Sequence, residues 1–308
     1  MLLLAGLLGL QSARYGGAPP LSPTQLWAPL PYRYVEIDGV TVAYLDSGGD
    51  GKPLLMVHGL SSYSAFWEAQ IPWFASHGYR VLALDLPGYG ASDRPDAPCD
   101  PPWYAHLVGR FMDAMGLQQA TIMGHSMGGQ IALTLALEAP ERVTRLVLAA
   151  PAGFERFTDG ERDWMKAWWN EERALEADED AVRANFAMNF DVMDASVERL
   201  VMERVRMAGT PEFRGTSVAV SRSIAGMLDA PVLDRLDQIH APTLIVFGRD
   251  DRLIPNPVFH GGDTARFAHR AAARIPGAEL VLLSGAGHMV QHDRAEAFDK
   301  IVLDWLNR

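Results

Sequence analysis

The stretch Ile122-Met123-Gly124-His125-Ser126-Met127-Gly128-Gly129 decides how the rest of the chain is read. It spells Gly-x-Ser-x-Gly, the pattern of a sharp strand-to-helix turn that lifts a serine hydroxyl clear of a sheet. Gly124 and Gly128 matter because so tight a turn leaves no room for side chains two residues to either side. The pattern is short, so its flanks must support it. Gln119 to Met123 reads as a buried strand. Gln130 to Ala139 places apolar residues at 131, 132, 135 and 136, a helical spacing, ahead of Pro140. The bland alternative, a serine in an ordinary glycine turn, fits poorly in a strand–turn–helix frame.

Upstream, Asp38-Gly39 sits between two alternating runs, Arg33 to Ile37 and Thr41 to Leu45, and predicts a hairpin. Leu54 to Val57 reads as a buried strand ending at His58-Gly59-Leu60, and a helix is expected over Ala65 to His77. Arg80 to Leu84 is another buried strand, running into Asp85 to Ser92, and a helix covers Trp103 to Met115. Downstream, Arg145 to Ala149 continues the alternation, which predicts a mostly parallel sheet with helices on both faces. From Gly153 to about Leu228 no buried strand can be found. The sheet resumes at Pro242 to Phe247 and Glu279 to Leu283, and a last helix spans about 294–306. The reading is therefore a lead-in over 1–31, an α/β core over 32–152 and 229–308, and a helical insertion over 153–228.

Composition sets outer limits. Apolar residues make up 48% of 308 positions, enough for a sizeable core. The net charge of −11, from 38 acidic and 27 basic side chains, argues against a nucleic-acid surface. The single cysteine, Cys99, cannot form an internal disulfide, and no Cys/His cluster has zinc spacing, so neither a metal nor a cofactor is expected. Met1 to Leu10 is almost wholly apolar. It is too short to span a bilayer, which takes about 20 residues, but it matches the hydrophobic part of a signal peptide in length. It lacks a positive start and a clean cleavage site. Export or membrane tethering through this segment stands beside a packed N-terminal helix in the cytoplasm as an open alternative. The sequence does not speak to oligomeric state.

The chemically suggestive groups fall at the C-terminal ends of predicted strands, where open α/β sheets bind ligands. Their order is Ser126, then Asp250 or Asp251, then His288. With His58-Gly59, Asp85 to Ser92, Gly124 to Gly129, Gly248 to Pro255 and Gly287-His288 in view, the chain from about Arg33 onward resembles the capped α/β-hydrolases. The resemblance implies Ser126 as nucleophile, His288 as base and Asp251, three residues after Gly248, as the acid. It also implies an oxyanion hole from the backbone N–H groups of Leu60 and Met127. The residue types suit these roles: a hydroxyl needs a base to become nucleophilic, and a carboxylate fixes the tautomer of the imidazole. The other motif histidines, His58 and His125, read as structural, and Asp85 as a residue that pins its own turn.

The insertion carries Trp164, Met165, Trp168, Trp169 and several more methionines and phenylalanines. Most would pack its own core, but an apolar pocket wall over Ser126 is the functional reading, with Trp164, Trp168, Trp169 and Met289 as candidate substrate contacts. A serine at 126 is unlike the dehalogenases and epoxide hydrolases of this family, which carry aspartate there. Carbon–carbon bond hydrolases are nearer. They typically show asparagine before the nucleophile, a glycine-rich oxyanion loop and tryptophan after the histidine, where this chain has His125, Leu60-Ser61-Ser62 and Met289. Those departures favour hydrolysis of small-molecule esters with apolar groups, as in carboxylesterases and lipases. Carbon–carbon cleavage, perhydrolysis or acyl transfer on the same triad is the alternative, and a non-catalytic ligand-binding member is the third reading.

Overall fold

Asp38 and Gly39 both take positive φ, 50° and 80°, the backbone twist a two-residue hairpin requires. They join β1 (Arg33–Ile37) to β2 (Val40–Asp46) in antiparallel register, Ile37 opposite Val40. This architecture comes from a computed structural model, which describes residues 18–308. The apolar stretch 1–10, and the signal or anchor expected of it, lies outside the described residues. No described helix is long and apolar enough to cross a membrane.

Six further strands complete the sheet: β3 (Lys52–Val57), β4 (Tyr79–Leu84), β5 (Ala120–His125), β6 (Val143–Ala149), β7 (Thr243–Gly248) and β8 (Glu279–Leu283). Their order is β1-β2-β4-β3-β5-β6-β7-β8, with β1 and β2 antiparallel to their neighbours and every later pairing parallel. All six residues of β5 are buried, as expected of a central parallel strand covered on both faces. Side chains that alternate along a strand feed two cores. Leu54 and Met56 pack with Ile71 and Phe74 of α1 (Gln70–Ser76), and with Phe298 and Val302 of the C-terminal helix over residues 295–306. Leu55 and Val57 pack in the opposite core with α2 (Pro101–Ala114) and α3 (Met127–Glu138).

The single helix expected over Ala65 to His77 is instead a 3₁₀ turn, Ser64–Trp67, followed by α1. Pro72 is the reason: without an N–H it is tolerated only in a helix's first turn, so the helix has to begin just before it. Asp100 caps α2 by accepting from Trp103 N at 2.8 Å, two residues earlier than the expected start.

Between β6 and β7 the chain forms α4 (Asp159–Trp168), α5 (Glu171–Glu176), α6 (Glu179–Asn189), α7 (Ala195–Met207) and α8 (Phe213–Asp229). Thr158, Asn170, Asp178 and Asp194 cap the first four, each side chain accepting a backbone N–H of the first turn. This segment has its own core, in which Phe186, Phe190 and Leu200 meet Phe66 from the loop after β3 and Leu21 and Leu26 from the lead-in. The lead-in is fastened to α7, with Leu21 N donating to Arg206 O at 3.2 Å and Trp27 N to Glu203 Oε1 at 3.1 Å. After β7 come α9 (Thr264–Ala272), α10 (Val290–Asp293) and α11 (Ala295–Leu306).

Candidate active site

Ser126 sits between the end of β5 and the first residue of α3, at φ 52° and ψ −117°, a conformation L-residues avoid and one that costs about 1–3 kcal/mol. The surroundings hold it there. Its N–H donates to Ala149 O at 3.0 Å, and its carbonyl accepts from Gly129 N at 2.9 Å and Ala152 N at 3.0 Å. A Cβ on Gly124 would collide with the Gly128 carbonyl, and one on Gly128 with the Val57 carbonyl. The two glycines of the motif are therefore fixed by close packing of β3, β5 and the first turn of α3.

His288 follows β8, and its Nδ1 lies 2.9 Å from Asp251 Oδ2 at the end of β7. Both side chains are nearly inaccessible, 4% and 0% exposed. Asp251 Oδ1 accepts from Leu253 N at 2.8 Å and Ile254 N at 3.0 Å, so the carboxylate is locked by its own loop. Asp250 turns the other way and accepts from Gly285 N at 3.0 Å. Gly248 gives β7 and the β8 loop their close approach, since a Cβ there would strike the carbonyls of Ala286 and Gly287.

The remaining motif residues build the frame. His125 Nε2 lies 3.1 Å from the His288 carbonyl and the two rings are 4.8 Å apart. Burial, and secondarily the neighbouring His288, hold the His125 ring well below the ordinary imidazole range, so it is a neutral donor to that carbonyl. His58 Nδ1 donates to Gly59 O at 2.8 Å while its Nε2 accepts from Leu86 N at 3.0 Å, and burial pushes its pKa down to about 4. Asp85 accepts from Ser64 N and Ala91 N, both at 2.7 Å, tying the loop after β4 to the loop after β3.

Ser126 and His288 open onto a cavity of about 300 Å³. Its walls are Leu60 and Phe66 from the loop after β3, Met165 and Trp169 beside α4, Phe186 and Phe190 at α6, and Val220, Ile224 and Met227 of α8. Leu60, Trp169 and Met289, three of the residues singled out in the sequence, line it. Met127 opens α3 directly after Ser126, with its backbone at the helix N-terminus. Trp164 and Trp168 do not line the cavity. They stack on each other at 5.6 Å on the outer side of α4, 48% and 42% exposed, and Arg173 covers the Trp168 ring at 3.6 Å. His292, four residues after His288, bonds Ser196 Oγ at 2.8 Å. Among the described residues no cluster of three His, Cys, Asp or Glu could hold a metal ion.

Sequence reasoning missed Glu155. It lines the cavity, accepts from Asn256 N at 2.6 Å and pairs with His260 Nδ1 at 2.6 Å. Burial raises its carboxyl above the usual range, against the opposing hydrogen bonds from His260 and Asn256. No local signal marks a pair 105 residues apart. Among the described residues that line the cavity there is no lysine or arginine.

A family model described as the alpha/beta hydrolase fold matches residues 52–295. The chain belongs to that family, and within it is a hydrolase. It is 29% identical over 297 residues to a 2-hydroxy-6-oxononadienedioate/2-hydroxy-6-oxononatrienedioate hydrolase of Burkholderia vietnamiensis, covering 90% of this chain and 96% of that one. It is 30% identical over 273 residues to a 2-hydroxy-6-oxo-6-phenylhexa-2,4-dienoate hydrolase of Burkholderia cepacia, covering 85% and 90%. Among solved structures it resembles a probable hydrolytic enzyme from Pseudomonas aeruginosa PAO1, with TM-score 0.83, 26% identity, and 93% and 98% of the two chains covered.

Proposed function

We propose that this hydrolase cleaves carboxylic esters with a largely apolar acyl group through an acyl-enzyme on Ser126. What supports an ester over a carbon–carbon bond is that His125, Leu60-Ser61-Ser62 and Met289 stand where carbon–carbon bond hydrolases of this family typically carry asparagine, a glycine-rich loop and tryptophan; what supports an apolar acyl group is the wall of the cavity. Among the described residues that line it, most side chains are apolar, the one carboxylate is Glu155, and none is a lysine or arginine. A dioate of the kind named for the Burkholderia vietnamiensis relative would bring two carboxylates beside Glu155, and an unpaired buried charge is costly.

In this reading the Ser126 hydroxyl adds to the ester carbonyl as its proton passes to His288. Asp251 holds the opposite ring nitrogen, keeping the base lone pair toward the serine. The backbone N–H groups of Leu60 and Met127 receive the developing oxyanion. Collapse expels the alcohol, protonated by His288, and a water activated by the same histidine releases the acid and restores Ser126. The helices between β6 and β7 act as the cap that excludes bulk water and supplies the acyl-chain contacts.

The relatives support a second reading, hydrolysis of a carbon–carbon bond next to a ketone carbonyl by the same residues. One comparison separates the two: kcat/KM for p-nitrophenyl esters of graded acyl length against kcat/KM for 2-hydroxy-6-oxo-6-phenylhexa-2,4-dienoate. The ester reading expects the esters to be the better substrates, with an optimum in acyl length. Turnover of the dienoate exceeding that of every ester overturns it in favour of carbon–carbon cleavage.

A further inference from the structure

A carboxylate on the wall of an apolar cavity needs a reason, because its desolvation is costly unless hydrogen bonds repay it. Glu155 is such a group. It lines the cavity that Ser126 faces, with its side chain 12% exposed. Its two oxygens are used unequally. Oε1 accepts from both Asn256 N and His260 Nδ1, each at 2.6 Å. Oε2 has no donor among the described residues, and it is not sealed in as the orphaned amide oxygen of Gln130 is. One carboxylate oxygen is therefore left for the cavity. Burial raises the Glu155 carboxyl above its usual range in spite of the two bonds, which marks a charge whose desolvation they do not fully repay.

The loop beyond β7 holds the carboxylate in this pose. Asn256 Oδ1 accepts from Val258 N at 3.0 Å and Phe259 N at 3.2 Å, and His260 N donates to Asn256 O at 2.9 Å. The turn so formed carries His260 back to Glu155, with the Phe157 ring 4.7 Å from the imidazole. One oxygen is thereby fixed toward the loop, and the other is free to meet a ligand. The segment is also tied to the nucleophile. Ala152 N donates to Ser126 O at 3.0 Å, and Glu155 follows within at most about 10 Å of chain.

We infer that Glu155 Oε2 is the acceptor for a hydroxyl on the acyl chain, placed away from the scissile carbonyl. An acceptor needs a proton to receive, which excludes an ether, a ketone or a second carboxylate at this position. Asn256 Oδ1 is already spent on its own loop, so a single open acceptor is offered here. A hydroxyl brings one proton to it, whereas an ammonium brings three. Resting on the ester reading, the substrate class narrows to esters of hydroxyacyl chains: an apolar spacer along the wall, the ester at Ser126 and one hydroxyl at Glu155.

The test compares p-nitrophenyl esters of ω-hydroxy acids, ω-methoxy acids and unsubstituted acids of matched chain length, over spacers of up to about 10 Å. At one spacer length the wild type should prefer the hydroxy ester to the unsubstituted ester by about 10- to 100-fold in kcat/KM, the range of a hydrogen bond to a charged group. It should not prefer the methoxy ester. Glu155→Gln keeps an oxygen for Asn256 N and turns an NH₂ toward the cavity. It should lower the hydroxy preference by about tenfold and raise the methoxy ester above the unsubstituted one, a reversal that loss of a loop anchor does not produce. A wild type indifferent to the hydroxyl at every spacer length, or one that favours methoxy as much as hydroxy, overturns the proposal, as does a preference unchanged in Glu155→Gln. An ω-ammonio ester hydrolysed faster than its hydroxy counterpart overturns it in favour of a cationic ligand. Should Glu155→Gln not fold, the hydroxy-against-methoxy comparison in the wild type decides alone. Should no ester be turned over, calorimetric titration of ω-hydroxy-2-alkanones and matched 2-alkanones into Ser126→Ala and Ser126→Ala/Glu155→Gln separates the claims. Tighter binding of the hydroxyketone to the first and not to the second keeps the subsite while the ester reading fails. Equal binding of the two ketones to Ser126→Ala, or none, overturns the subsite.

Discussion

Replacing Asp251 with asparagine tests the chemistry with the least disturbance to the fold. The side chain makes three contacts: Oδ1 accepts from Leu253 N and Ile254 N, and Oδ2 faces His288 Nδ1 at 2.9 Å. Asparagine has one acceptor oxygen. Two backbone N–H groups compete for it against a single imidazole, so the oxygen should take the Oδ1 place and the NH₂ should point at Nδ1. A donor there forces His288 into the tautomer with its proton on Nε2, facing the serine, where it cannot act as a base. The loss should be on the order of 10⁴ in kcat, about 5 kcal/mol of transition-state stabilisation. Because the loop contacts survive, the melting temperature should move little. Asp250→Asn keeps an acceptor for Gly285 N and should stay within about tenfold of wild type. Steady-state hydrolysis of a p-nitrophenyl ester, with thermal melts of both variants, reads the result. An active Asp251→Asn beside a crippled Asp250→Asn would refute the reasoning.

Three further outcomes follow from particular contacts. A fluorophosphonate probe should label the protein once, and Ser126→Ala should abolish labelling and leave at most the roughly 10³–10⁴-fold residual acceleration over water that binding and the oxyanion hole supply; labelling that survives refutes the nucleophile. Trp169→Ala should shift the preference among acyl lengths by about 1–3 kcal/mol per methylene of space opened, while Trp164→Ala and Trp168→Ala leave it unmoved; equal effects in a chain-length panel would refute the assignment of walls. Burial pushes the Asp299 carboxyl up to about 7 against the hydrogen bond it accepts from Gln70. A folded pKa above the unfolded value of about 3.9 means this group's contribution is greatest in acid and declines as pH rises from about 4 to about 7. Asp299→Asn keeps an acceptor for Gln70, so its stability relative to wild type in urea melts should rise between pH 5 and pH 8, and a pH-independent difference would refute the cause.

The sheet was legible because each parallel strand is a short apolar run that ends in a chemically distinctive loop. The sequence order of those loops fixes which residues share the sheet's C-terminal edge. The motif at 124–128 was legible because its glycines answer to backbone collisions that admit nothing else. What escaped were pairings between distant segments. His260 reads as an isolated histidine until Glu155 stands beside it, and Arg204 reads as one more charge on α7, which also carries Arg199 and Arg206. Arg199 pairs with Glu68 and Arg206 donates to Pro19 O, so only the tertiary fold reveals that the guanidinium between them has no acceptor among the described residues.

The tryptophans of α4 show the same limit more sharply. Helical spacing sorts them into two stripes, Trp164 with Trp168 and Met165 with Trp169, and each stripe is apolar enough to face inward. Buried area alone would favour the stripe of two tryptophans. The structure turns the other one to the cavity, because partners outside the cavity claim the larger pair. Phe259 meets the Trp164 ring edge-on at 5.6 Å and Arg173 covers Trp168. Lys166, between the stripes, is anchored to Asp229 at the end of α8 at 2.6 Å, which sets the roll of α4 against the helix that forms the opposite wall. Periodicity fixes which side chains move together, and contacts from residues remote in sequence decide where they point. The pocket wall of an inserted helical segment therefore follows from its ion pairs and ring contacts more than from its hydrophobic pattern.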